Sequence, residues 1–255
     1  MVFFLLNRFN FYCCLEVRLN FLISLCSLSL GCFAVFGGTV QAMDSFNAAK
    51  KILPSIYKQL EDPKTVYCGC DLNIERNRFI VDLKSCGYTV RKQPKRAARV
   101  EVEHIMPAWE FGHQLKCWQQ GGRKNCSKSS KEFKAMEGDL HNLFPSVGEV
   151  NGDRSNYRFQ LWNGKPYQYG KCEMLVDFKG RRAQPPERSR GLIARAYLYM
   201  VSHYEGLTLA RQQRQLFEAW NKMYPPSENE CLRNELIKKR QGNDNPFVTE
   251  KCKSK

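Results

Sequence analysis

The stretch Val100-Glu101-Val102-Glu103-His104-Ile105-Met106-Pro107-Ala108-Trp109 decides how the rest of the chain is read. Branched side chains crowd its first six positions, which predicts a short strand over residues 100–105 that carries Glu103 and His104 to its end. Taken alone, a Glu-His dipeptide is common and reads as a surface pair. Its company changes that reading, because farther along the chain Glu137, Asn142 and Asn151 add oxygen donors. Such a set suits hydrolysis of a phosphodiester with one hard cation. Cleavage develops negative charge on the phosphate oxygens and on the leaving oxygen, which a cation held by one or two oxygen ligands stabilises. The attacking water needs a base active near neutral pH, and imidazole has the closest unperturbed pKa.

The other three histidines carry less. His203 lies among Tyr197, Tyr199 and Tyr204 in an apolar helix and reads as packed or half-buried; His113 sits in a polar loop with no assigned chemistry. His141, beside Asn142 in a tight segment, reads as a tie between backbone groups.

Outward from the strand, residues 79–81 predict a second strand. Phe46, Ala49, Ile52, Leu53, Ile56, Tyr57 and Leu60 recur at helical spacing after Asp44 or Ser45 as a cap, with Pro54 bending the middle. A helix is expected over residues 132–138, then an irregular stretch over residues 140–145, then a helix starting near Val147. The last third predicts helices over residues 191–204, 208–224 with Thr208 as cap, and 228–240, with Pro185-Pro186 and Pro225-Pro226 as stops. Leu209, Leu216, Phe217, Trp220 and Tyr224 fall largely on one side of the second of these and read as core. No internal repeat or low-complexity linker divides the chain.

At the amino terminus, residues 19–36 form an uncharged apolar run behind Arg18, and Val40-Gln41-Ala42 follows at cleavage-type spacing. This predicts a secretory leader over residues 1–42 in preference to a membrane anchor. The stretch before Arg18 is long for a leader, which points to a later start near Val17. The net charge of the full chain is +15, and residues 1–42 hold Arg8, Arg18 and Glu16, so residues 43–255 keep +14. A field of that sign attracts polyanions. Four of the twelve cysteines fall in the leader; Cys68, Cys70, Cys86, Cys117, Cys126, Cys172, Cys231 and Cys252 remain. An even set behind an export signal predicts four disulfides in an oxidising compartment, and without a Cys-x-x-Cys pair a zinc site has little support. Cys117 and Cys126 are expected to pair across Gly121-Gly122, Cys68 and Cys70 to take different partners, and the staples to tie both ends to one core. The remaining connectivity stays open.

Longer segments narrow the reading. Residues 102–109, and residues 139–156 (Asp-Leu-His-Asn-Leu-Phe-Pro-Ser-Val-Gly-Glu-Val-Asn-Gly-Asp-Arg-Ser-Asn), closely resemble the bacterial endonuclease I family of periplasmic and secreted nucleases. So do Gly121-Gly122-Arg123-Lys124-Asn125-Cys126, Gln160-Leu161-Trp162-Asn163-Gly164, Tyr169-Gly170-Lys171-Cys172-Glu173-Met174 and Ala219-Trp220-Asn221-Lys222-Met223-Tyr224, so the likeness spans essentially all of residues 43–255. It implies a single α+β domain, helices and short strands around a ββα-metal motif of the HNH type. Within it, Glu103 and Asn151 are implied as ligands of one Mg²⁺ and His104 as general base. Glu137 is implied to act on the leaving oxygen through a water held by the ion, Asn142 to brace the loop presenting His104, and Arg123 to neutralise the scissile phosphate. Arg154 reads as a pair on a helix surface. The implied substrates are single- and double-stranded DNA and RNA, held by their phosphates and hence without sequence preference. The implied protein is a monomer in the periplasm or the medium, with no membrane attachment once the leader is gone. Two rivals remain: a selective endonuclease or toxin, and an exported basic protein that binds DNA without cutting it.

Overall fold

In the computed structural model, which describes residues 45–253, Ser45 opens the first helix, α1 (Phe46–Tyr57), its hydroxyl accepting a hydrogen bond from the Ala48 amide at 3.2 Å. Ala49, Leu53, Ile56 and Tyr57 form its buried face, as the spacing predicts. Asp44, the other capping candidate, and the leader expected at residues 1–42 lie outside the described residues. Next comes a hairpin, β1 (Asp71–Glu75) and β2 (Arg78–Asp82), antiparallel from Asp71↔Asp82 to Glu75↔Arg78. The strand predicted at residues 79–81 is therefore half of a hairpin. Its turn is Arg76-Asn77, with φ of 45° and 59°, where Asn-Gly would have announced it.

A short helix, α2 (Pro94–Ala97), leads into β3 (Val100–His104). Four helices follow: α3 (Ala108–Gly112), α4 (Lys116–Gln119), α5 (Gly122–Ser129) and α6 (Lys131–Gly138). Residues 140–145, expected to be irregular, instead make a 3₁₀ turn (Leu140–Asn142) and the start of β4 (Leu143–Val147). Pro145 is tolerated because β4 pairs only with β3; its carbonyl takes the Val66 amide at 2.8 Å on the other edge. All five β4 residues are buried, so the alternation that marks a half-exposed strand is missing. Helix α7 (Gly148–Arg154) leaves directly from the end of β4. Gly148 permits this close turn, since a Cβ there would meet the Arg96 carbonyl at 2.5 Å.

A small mixed sheet of β5 (Arg158–Phe159), β6 (Leu175–Asp177) and β7 (Arg182–Gln184) follows in the order β5-β7-β6. The chain closes with α8 (Glu187–His203), α9 (Arg211–Met223), α10 (Glu228–Gln241) and α11 (Pro246–Cys252). Helix α8 starts four residues before the predicted 191, with Pro186 at its N-cap, and Gly191 lies inside it where a Cβ would meet the Tyr224 carbonyl at 2.3 Å. Thr208 does not cap α9, whose N-cap is Ala210. Leu207 and Leu209 pack against the core, which draws the lead-in out of helical form.

The β3–β4 pair lies between two apolar clusters. Ala49, Leu53, Ile56, Leu72, Leu140 and Leu143 fill one, while Phe144, Val147 and Val150 join Phe133, Phe217 and Trp220 in the other. The aromatic stripe of α9 is thus core, as read from its spacing. Among the described residues four disulfides form: Cys68–Cys172, Cys70–Cys86, Cys117–Cys126 and Cys231–Cys252. The last does not tie the carboxy-terminal end to a distant part of the fold; it clips α11 onto the neighbouring α10. No helix among the described residues is long and apolar enough to cross a membrane.

Loop length ranks the two staples near the centre. Cys68–Cys172 spans 104 residues and Cys70–Cys86 spans 16, so replacing the first pair by Ser should cost about 4.7 kcal/mol and the second about 3 kcal/mol. Urea unfolding of the two double variants checks this. The reverse order would show that chain entropy is not what these bonds supply.

Candidate active site

In the β3–β4 ladder Glu103 stands opposite Phe144 and His104 opposite Leu143. Helix α7 then brings Asn151 back beside β3. Glu103, His104, Arg123 and Asn151 all line one open cleft of about 1150 Å³, whose walls also carry Lys50, Arg78, Arg96 and Arg99. Glu137 and Asn142 lie behind that surface and do not line it.

His104 is buried, its ring 4.5 Å from that of Phe46. Its Nε2 is 2.9 Å from the Glu137 carbonyl. A carbonyl only accepts, so Nε2 carries the proton and Nδ1 keeps its lone pair. Burial, with the positive charge of Arg123 second, pushes this imidazole down to about 3, so it is neutral at physiological pH.

Glu103 is held from beneath. Its Oε1 accepts from the Tyr67 hydroxyl at 2.6 Å and from Arg154 Nη1 at 2.9 Å, while no hydrogen bond from a described residue falls on Oε2. Burial pushes its carboxyl up, and Arg154 opposes that. Arg154 is not the surface residue expected from its place on a helix: its side chain is 0% exposed. The same guanidinium also bonds the carbonyls of His104 at 3.0 Å and Ile105 at 2.7 Å and lies over the Phe159 ring at 4.4 Å. Its sequence signal is indirect, three residues beyond Asn151 on the same helix face.

Asn151 donates from Nδ2 to Glu101 Oε2 at 3.0 Å. A carboxylate can only accept, which fixes the amide and leaves Oδ1 as the free acceptor. Glu101 is in turn clamped by Arg96 and Arg99, both at 2.7 Å. Helix α7 is pinned below by Glu149, which takes the amides of Arg91 and Lys92, and by Asp153, paired with Arg91 at 2.7 Å. None of Tyr67, Glu101, Glu149 and Asp153 stands out in the sequence, since each works through contacts made only on folding.

Asn142 bridges to the loop after β3: Oδ1 accepts from the Met106 amide at 2.7 Å and Nδ2 donates to the Met106 carbonyl at 2.9 Å. Glu137 has two jobs. Its carbonyl orients His104, and its carboxylate takes Arg123 Nε at 2.7 Å and Ser127 Oγ at 2.9 Å. Both carboxylate oxygens are thereby engaged within the protein, so the geometry makes it a holder of Arg123. His141 ties backbone as expected, with Nε2 3.0 Å from the Asn243 carbonyl. His203, expected to be packed or half-buried, is exposed and stacks on Tyr199 at the last turn of α8.

Among the described residues no group of three or more His, Cys, Asp or Glu side chains is gathered to hold a metal. Glu103 Oε2 and Asn151 Oδ1 offer a smaller set, one carboxylate and one amide oxygen from two residues that line the same cleft. Two such ligands suit Mg²⁺, which keeps several of its waters.

The Endonuclease I family profile matches residues 45–252, from the cap of α1 to the last cysteine. The chain belongs to the endonuclease I family. A periplasmic deoxyribonuclease of Aeromonas hydrophila is 58% identical over 228 residues, covering 88% of this chain and 94% of its own length. An extracellular deoxyribonuclease of the same organism is 56% identical over 232 residues, covering 91% and 98%. Endonuclease-1 of Buchnera aphidicola is 45% identical over 215 residues, covering 84% of each. With membership of the endonuclease I family goes the α+β architecture seen here.

Two outcomes follow for stability. Arg154→Ala strands a buried carboxylate and should cost about 3–5 kcal/mol in urea unfolding, with Glu103→Gln restoring part of it in the double variant. A loss below about 1 kcal/mol would mean that water already satisfies Glu103. The second concerns His141, which burial holds at about 4 against an ordinary 6.5. Between those values the unfolded chain binds the proton and the fold does not, so stability falls as pH is lowered from 6.5 to 4. Relative to His141→Asn, wild type should lose on the order of 3 kcal/mol over that range, read from melting curves at stepped pH. Parallel curves would show that His141 is protonated in the fold.

Proposed function

We propose that this chain is an exported, Mg²⁺-dependent endonuclease that hydrolyses phosphodiester bonds in DNA and RNA without sequence preference, acting as a monomer in the periplasm or the medium. The observation that carries the reading is the His104 tautomer: an imidazole locked with Nδ1 unprotonated, in the same cleft as a free carboxylate oxygen and a free amide oxygen. The names of the Aeromonas and Buchnera relatives support nuclease chemistry, and periplasmic and extracellular relatives support export.

Glu103 and Asn151 would hold the ion, which when bound supplies positive charge to offset that developing on the phosphate and the leaving 3′ oxygen. His104 Nδ1 takes a proton from the attacking water, and the Glu137 carbonyl keeps the ring turned for it. Arg123, its Nε fixed by Glu137, presents its remaining guanidinium nitrogens to a phosphate oxygen. Glu137 thus acts as a positioning residue; a direct part in protonating the leaving oxygen would require it to release Arg123 or Ser127. The substrate range follows from the donors. Lys50, Arg78 and the uncommitted nitrogens of Arg123 meet phosphate, which carries no base information and is common to DNA and RNA.

Plasmid nicking by purified oxidised protein, with Mg²⁺ and with EDTA, tests the reading. Wild type should reduce unrelated plasmids to a smear of short products, EDTA should stop it, and His104→Ala should lose about 10²-fold or more in rate while still retarding DNA. Retardation without cleavage in wild type would establish the binding-only rival, and discrete bands the selective one.

A further inference from the structure

One wall of the cleft is left unused by this chemistry. Trp109, on α3, lines it and is 43% exposed. Its indole lies flat on the imidazole of His113, with ring centroids 4.0 Å apart and 7° between the planes. His113 Nδ1 is 2.7 Å from the Trp109 carbonyl; because that oxygen only accepts, the imidazole donates and is held in the stack by the backbone. The helix beneath does not give way. Phe111 is buried in the core and Glu110 accepts the Tyr197 hydroxyl at 2.8 Å, so the residues next to Trp109 are fixed from below. Helix α3 begins four residues after His104, which keeps the platform beside the candidate base. The other tryptophan of this wall, Trp118, is more covered, packing on Phe133 with centroids 5.8 Å apart.

A preassembled aromatic stack at the rim of a cationic cleft matches what single-stranded nucleic acid needs. Arg and Lys follow the phosphates while a flat ring receives a base, and every base has a π-face, so such contact does not select sequence. Resting on the nuclease reading above, we propose that Trp109, backed by His113, is a stacking subsite for an unpaired nucleobase next to the scissile phosphate, and that it favours single strands and frayed ends. In a duplex the bases already stack on one another, and reaching Trp109 requires one to leave that stack and its pairing partner.

The test compares a short single-stranded oligonucleotide, the same strand with abasic positions, and the matching duplex. With the intact single strand, Trp109→Ala should raise KM roughly 5- to 100-fold with kcat little changed, and Trp109→Phe should stay close to wild type because phenylalanine still stacks. The abasic strand and the duplex should show little change in either variant. In EDTA, where the strand stays whole, the intact oligonucleotide should quench wild-type indole fluorescence, and Trp109→Phe should lose that quenching while the abasic strand never produces it. Equal loss on intact and abasic strands, unchanged KM in Trp109→Ala, or quenching that survives in Trp109→Phe would overturn the subsite. Should wild type cleave nothing, the nuclease reading fails, and the quenching experiment alone then decides whether the platform takes a base.

Discussion

Arg154 holds the centre of this molecule together. It reaches from α7 under the end of β3, where one guanidinium bonds the Glu103 carboxylate and the carbonyls of His104 and Ile105. Those carbonyls lie buried at the point where β3 stops, without a strand to satisfy them, so a buried donor must do so. The same contact sets where Glu103 offers its free oxygen, because Arg154 and Tyr67 both use Oε1. Arg154 and Asn151 sit three residues apart on one helix, hence any shift of α7 that would move Asn151 away from Glu103 would also break a buried ion pair. Placement of the two candidate ligands and integrity of the fold are therefore one constraint. A lysine would not serve, since a single ammonium cannot span three acceptors in the plane that a guanidinium fork covers.

The opposite wall depends on a different device. Segment α4–α5 has little apolar surface of its own: among α4 residues none is buried, and in α5 only Cys126 is. It is closed on itself covalently, through Cys117–Cys126, with Asn125 donating to the Cys117 carbonyl at 2.7 Å as a second clasp, and meets the core through Cys126 and through Trp118 against Phe133. Arg123 rides on that clasped segment and meets Glu137, whose carbonyl orients His104. Oxidation thus reaches the candidate base in two steps, disulfide to Arg123 and Arg123 to Glu137. A reducing compartment would loosen this wall first, while β3, β4 and α7 stay held by Arg154 and the core.

Much of this was legible from residue patterns, and the boundary has a physical meaning. The face of α1, the strand ends at β3, the stripe of α9 and the local Cys117–Cys126 pair follow from periodicity and spacing, which are properties of neighbours in sequence. What stayed hidden depends on partners far along the chain. Strand β4 is buried on both faces and contains a proline, so it shows neither alternation nor strand-like composition; only pairing with β3 makes it a strand. Arg154 looks like one more charge on a basic chain until Glu103, fifty-one residues earlier, comes to meet it. His203 errs the other way: tyrosines around it suggest burial, yet it falls on the outer side of the last turn of α8. The roles of candidate metal ligand, candidate base and bracing Asn142 came from resemblance to the endonuclease I family, and the structure brings Glu103, His104, Arg123 and Asn151 to one surface, with Asn142 and Glu137 directly behind.

The cleft's cations divide into three kinds, and that division bears on how a nuclease of this design would avoid reading sequence. Arg96 and Arg99 are spent on Glu101, which in turn fixes the Asn151 amide; they serve the site's geometry more than its substrate. Arg123 is half-committed, with Nε on Glu137 and the rest of its fork turned outward. Lys50 and Arg78 make no ion pair with a described carboxylate, and their long flexible stems impose no fixed donor pattern on what they touch. Base readout in a groove needs the opposite, rigid bidentate donors presented on a recognition element. A fixed feature of the rim is the Trp109–His113 stack, and a flat aromatic face accepts any base. On the proposed reading, the side chains held in place would position a phosphate or stack a ring, while Lys50 and Arg78 impose no pattern that distinguishes one base from another.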